Sequence, residues 1–183
     1  CIRDRYNVVI IDAIDKNNFA IEDLEEGEIF YTKDNLYCKD KKYCWCNGGG
    51  HNDMRVSGRI ACAWSHSKIY DDMITNNIKN ALVFEDDFDL VRNIDYLRFI
   101  EKRLPEDYDY IYFSHSRLIN YGHEYEPYDE YFVKLKQGWK ETINFALTLE
   151  TAKKLKEYLL PIRGAADGYI AQHIDYLKTI KNV

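Results

Sequence analysis

Ala81-Leu82-Val83-Phe84-Glu85-Asp86-Asp87 is the stretch on which the fold turns. Its apolar half reads as a buried strand, too short for a helix. Carboxylates follow at once, so the strand ends in an acidic turn. In an open α/β sheet, ligands bind just outside the carboxyl ends of strands, which makes this turn a candidate site. Residues two apart share a side of extended backbone, so Glu85 and Asp87 project together. Two carboxylates held a few ångströms apart repel, and one takes up a proton unless a cation intervenes. A hard divalent ion, Mg²⁺ or Mn²⁺, removes that penalty and keeps positions open for phosphate oxygens. The plain alternative is a solvated acidic turn in a chain with 31% charged residues.

Outward from this stretch, strand and helix patterns alternate. Upstream, apolar residues at Cys62, Ile69, Tyr70, Met73, Ile74 and Ile78 recur at helical period, and Asn76-Asn77 should stop that helix. Val8-Val9-Ile10-Ile11 reads as another short buried strand. Downstream, Asn93 can cap a helix running to Arg103, with Pro105 as its stop. Tyr108–Ser114, Tyr131–Leu135 and Ile143–Leu147 are strand candidates. A helix opens at Thr148 or Glu150 and closes before Pro161, and Asp167 precedes a last one. Strands interleaved with helices predict a single α/β domain over residues 1–183 with a mainly parallel sheet.

Composition narrows the function classes. With 183 residues and 46% hydrophobic content, the chain can bury a core without staples. Lys+Arg 25 against Asp+Glu 31 gives a net charge of −6, which argues against a nucleic-acid partner. No apolar run of about 18 residues predicts a membrane span, and no leader pattern is readable. The expected location is therefore cytoplasmic: the host cytoplasm or a virion, if the source is viral. An abundance of Asn, Ile, Lys and Tyr fits an AT-rich genome.

The stretch 33–57 is polar, glycine-containing and aperiodic, and reads as a long loop or lid within the domain. It holds Cys38, Cys44, Cys46 and His51, whose spacing lacks the usual zinc chelate. Free thiols, a loop disulfide and a zinc knuckle all stay open there.

Three further residues are candidates. His66 follows Ser65 near the start of the amphipathic helix; a packed histidine is the bland reading. Ser65 lacks a nucleophile elbow. Asp167 serves equally well as a helix N-cap.

Taken together, these pieces carry a resemblance. Gly58-Arg59-Ile60-Ala61-Cys62-Ala63-Trp64-Ser65-His66, a helical stretch, and then Ala81 to Asp87 look like glycosyltransferase family 25. That family's pattern is a G-C-x-x-S-H helix start followed by a strand closing on E-D-D; here Ala61 replaces the second glycine. Tyr108–Phe113 resembles the family's W-D-i-i-y-l strand, and Thr142–Leu147 with Ala152–Leu155 a later strand and helix. Ala166-Asp167 resembles its P-V-D, and Val9–Asp15 a strand and turn ending in aspartate. The likeness spans residues 8–175, although the family's opening strand has no counterpart ahead of Cys1-Ile2-Arg3-Asp4-Arg5.

The resemblance implies a GT-A-type, Rossmann-like α/β/α sandwich. It implies a UDP-sugar donor, Mn²⁺ or Mg²⁺, and inverting transfer to a hydroxyl of a glycan or protein acceptor. The family includes lipooligosaccharide sugar transferases, procollagen galactosyltransferases and giant-virus relatives. The expected roles are metal carriage by Glu85 and Asp87, and donor contacts by Asp12, Asp15, Ser65, His66 and Asp86. Asp167 is the expected catalytic base. The competing expectation is a non-catalytic relative that binds a glycan or protein.

Overall fold

The computed structural model describes residues 6–19, 54–86, 94–106, 108–113, 125–135, 142–160, 162, 166–167, 170 and 181–182. Along them run α1 (Met54–Thr75), β1 (Asn80–Phe84), α2 (Ile94–Glu101), β2 (Tyr110–Tyr112), β3 (Tyr125–Pro127) and β4 (Val133–Leu135). β5 (Asn144–Thr148), α3 (Leu149–Leu159) and β6 (Lys181–Asn182) complete the order.

The main sheet has the order β1-β5-β2, and β3-β4-β6 form a second small sheet. Both neighbours of β5 pair with it antiparallel: Val83 lies opposite Phe145, and Ile111 opposite Ala146. This corrects the mainly parallel sheet expected from the strand–helix alternation. β1 and β2, joined through α2, do run parallel to each other. The chain then makes the β3–β4 excursion before β5 enters the slot between them in the opposite direction.

Side-chain alternation along the strands gives the sheet two apolar faces. Tyr110, Tyr112, Phe145, Leu147 and Val83 pack with Ile60, Ala63, Tyr70 and Met73 of α1 and Ala152, Leu155 and Leu159 of α3. Ile111 and Ala146 turn the other way, onto Ile100 and Phe99 of α2 and onto Phe132. Helices thus cover both faces, and the domain is mixed α/β. Lys156 of α3 reaches Asp71 of α1 as an ion pair on the rim of the first layer.

Local sequence explains the element ends. α1 stops in a Schellman motif: Ile78 N–H donates to Met73 C=O at 2.8 Å, and Asn77 N–H to Ile74 C=O at 3.3 Å. Asn77 takes φ 52°, a left-handed conformation that asparagine tolerates better than most residues. α3 starts at an N-cap, where the Thr148 hydroxyl accepts from Thr151 N–H at 3.2 Å.

Two further expectations change. Val8, Val9 and Ile10 are 46%, 52% and 76% exposed and belong to no strand. A β-branched run favours extended backbone, but a strand also needs a hydrogen-bonded partner. This segment instead lies on α1, with Ile14 N–H donating to Ser65 Oγ at 2.8 Å and Lys68 Nζ to the Asp12 carbonyl. The second change is at the end of the 33–57 loop: α1 already begins at Met54. The rest of that loop, with Cys38, Cys44, Cys46 and His51, lies outside the described residues. Among the described residues, no helix is long and apolar enough to cross a membrane.

Candidate functional site

The acidic turn leaves β1 beside the start of β5, and β5 holds it in place. Glu85 N–H donates to the Ile143 carbonyl at 2.8 Å, extending the β1–β5 ladder by one rung. The Thr142 hydroxyl then donates to Glu85 Oε1 at 2.7 Å. From the other side, His66 Nε2 stands 3.5 Å from the same Oε1. Glu85 is therefore a fixed, partly buried carboxylate rather than a solvated side chain, with 28% of its side chain exposed.

His66 owes its placement to α1. It is 3% exposed, and its Nδ1 lies 2.9 Å from the carbonyl of Cys62, one turn earlier on the helix. A carbonyl only accepts, so Nδ1 carries the proton in this contact. The ring stacks on Phe145 at 5.7 Å between centroids, Phe145 stacks on Tyr110 at 4.9 Å, and Tyr110 meets Tyr112 at 4.7 Å. This aromatic row runs from His66, beside Glu85, into the core between the sheet and the helices α1 and α3.

Burial pushes the phenols of Tyr110 and Tyr112 well above their ordinary range. Smaller contributions come from neighbouring negative charge. For Tyr110 these include both Glu85 and Asp167; for Tyr112, Asp167. Of the two carboxylates, distant in sequence, both act on Tyr110 and only Asp167 on Tyr112. His66 Nε2, Tyr110 Oη and Asn144 Oδ1 are buried without a hydrogen-bond partner among the described residues. Buried polar atoms in that state mark places where a ligand, ion or water completes the bonding.

The other expected residues divide. Asp86 follows Glu85 and is exposed. Asp12 and Asp15 are exposed on the segment that crosses α1, and Asp15 Oδ1 accepts from Asn17 N–H at 2.9 Å to close a local turn. Ser65 spends its hydroxyl on protein: it donates to the Ala61 carbonyl at 2.7 Å and accepts from Ile14 N–H at 2.8 Å. Its observed contacts hold the segment bearing Asp12 and Asp15. Asp167 is half-buried and already helical, so it lies inside the helix rather than ahead of it as its cap. Asp87 lies outside the described residues.

A divalent cation is compatible with the donors present. Every described contact of the Glu85 carboxylate falls on Oε1, which leaves Oε2 available, and the exposed Asp86 carboxylate is adjacent. Hard oxygen donors of this kind suit Mg²⁺ or Mn²⁺. Thr142 and Phe145, essential to this arrangement, were not among the expected site residues. The available signal was their position at the head of the strand beside β1.

Comparison with known proteins places these residues in a family context. The sequence model of Glycosyltransferase family 25 (LPS biosynthesis protein) matches residues 3–170. A curated Anopheles gambiae protein described as "Glycosyltransferase 25 family member" is 32% identical over 108 residues. That match covers 57% of this chain and 18% of the relative's length.

Proposed function

From the premise that the chain belongs to glycosyltransferase family 25, we propose that it moves a sugar from a UDP-sugar to a hydroxyl of a glycan or protein acceptor, with inversion. Support comes chiefly from one observation: the Glu85 carboxylate at the end of β1 is pinned by the Thr142 hydroxyl, beside the exposed Asp86, rather than left as a solvated turn. On this reading a donor sugar has the acidic turn on its leaving-group side and Asp167 on its acceptor side.

On this reading Glu85 and Asp87 hold Mn²⁺ or Mg²⁺, with Asp86 beside them for the ribose or the ion's waters. The cation offsets the charge that builds on the departing pyrophosphate. Asp12 and Asp15 contact the uridine, and Ser65 fixes their backbone segment through Ile14. His66 lines the donor pocket next to Glu85. Asp167 accepts the proton of the attacking hydroxyl, a task for a carboxylate ionised at neutral pH. β1 and β2, parallel to each other with helices on both faces, are compatible with a GT-A-type sandwich.

The test is a screen of UDP-sugars by acceptor-dependent UDP release, with and without Mn²⁺. Release that needs both acceptor and metal supports the reading. Release without acceptor makes the protein a hydrolase. No release with any donor, alongside measurable glycan or protein binding, makes it a non-catalytic relative.

A further inference from the structure

Cys62 and His66 are one helical turn apart on α1, and Glu85 faces them from the end of β1. One donor atom from each lies within 4.8 Å of the others. His66 Nε2 is 3.5 Å from Glu85 Oε1, and the Cys62 sulfur lies beside the same ring, 3.7 Å from its other nitrogen, Nδ1. The first distance is too long for a good N–H···O bond, which falls at about 2.7–3.2 Å. Two donors bound to one tetrahedral ion, each at about 2.0–2.3 Å, stand roughly 3.5 Å apart.

The bonding around His66 points the same way. Its Nδ1–H is committed to the Cys62 carbonyl at 2.9 Å. A backbone carbonyl on the far nitrogen is the usual way a metal-binding imidazole is oriented, and it leaves the Nε2 lone pair free to ligate. That Nε2 is buried, has no hydrogen-bond partner and faces a carboxylate oxygen. With no proton or cation between them, two electron-rich atoms would be pressed together.

We propose that Cys62, His66 and Glu85 bind a thiophilic divalent ion of zinc type, clasping α1 to the end of β1. Sulfur, nitrogen and oxygen donors suit zinc, and three protein ligands leave a fourth position for water. On binding, the Cys62 thiol loses its proton to solvent. Thiolate and carboxylate together then cancel the ion's two positive charges, which suits a largely buried place. A thiolate ligand discriminates against Mg²⁺ and Mn²⁺. The proposed ligand set uses none of Cys38, Cys44 and Cys46, but it shares Glu85 with the proposed donor-metal site and rests on that residue's placement.

Titration of the purified full chain with Co²⁺ tests it. The expected result is one equivalent of cobalt with a sulfur-to-cobalt charge-transfer band and tetrahedral visible absorption. Cys62→Ser should abolish the band, and His66→Gln, which removes a direct ligand, should weaken cobalt binding by more than the roughly 10–100-fold typical of losing an outer-shell partner. A variant with Cys38, Cys44 and Cys46 all changed to Ser should keep the band. Circular dichroism checks that each variant folds. No band in the wild type, a band that survives Cys62→Ser, or one lost with the three loop cysteines would overturn the site. Because Cys62 has no part in donor binding, Mn²⁺-dependent UDP binding should survive Cys62→Ser. Loss of the cobalt band and loss of the transferase reading are thereby told apart.

Discussion

At the residue scale, the site depends on carboxylates whose surroundings are set by neighbours far away in sequence. Thr142 is buried at 7% exposure and gives its only described hydroxyl bond to Glu85. Thr142→Val keeps the shape but removes the donor. We expect a loss of about 1–2 kcal/mol in urea unfolding, modest for a bond to a charged group because Glu85 remains partly solvated. An unchanged unfolding midpoint would show that the bond does not hold Glu85. Asp167→Asn should lower kcat by ~10²–10⁴-fold while UDP affinity and melting temperature stay near wild type. Unfolding of the variant, with the rate per folded molecule unchanged, would make Asp167 a structural residue. Glu85 and Asp167 could both be named from the sequence, the first by its place at a strand end. The hold of Thr142 on Glu85 was not legible, because nothing local to either residue specifies the sheet order that brings them together.

At the scale of elements, local signals were reliable at two helix ends. Asn76-Asn77 ends α1 and Thr148 caps α3, as the side-chain chemistry of those residues requires. The failures have two causes. Val8–Ile11 has the composition of a strand, but strand formation also depends on a partner, which a single segment does not encode. The start of α1 was missed because Met54 to Ser57 sits at the end of a polar, glycine-rich stretch. Gly58 lies inside α1, and among the described residues an added Cβ would meet only the Lys16 Cδ, at an ordinary 3.8 Å. Gly58→Ala should therefore stabilise the fold by about 0.5–1 kcal/mol, read from the shift in thermal or urea midpoint. Destabilisation would mean that the segment carrying Lys16 packs on α1 more closely than this distance indicates.

At the scale of the whole molecule, the alternation of strands and helices conveyed an α/β domain but not strand direction. Antiparallel β5 enters between β1 and β2 only after the β3–β4 excursion, and an insertion of that kind leaves no periodic trace. The result is a sheet with helices on both faces, carrying the acidic turn at the end of β1. The central claim is that this end of the sheet binds a nucleotide diphosphate through a divalent ion held by the acidic turn. Calorimetric titration of UDP into the full chain, with and without Mn²⁺, addresses it most directly. The account predicts binding in Mn²⁺, none in EDTA, and loss of the Mn²⁺-dependent binding in Asp87→Ala with the melting temperature preserved. UDP binding of equal strength in EDTA, or in Asp87→Ala, would contradict it.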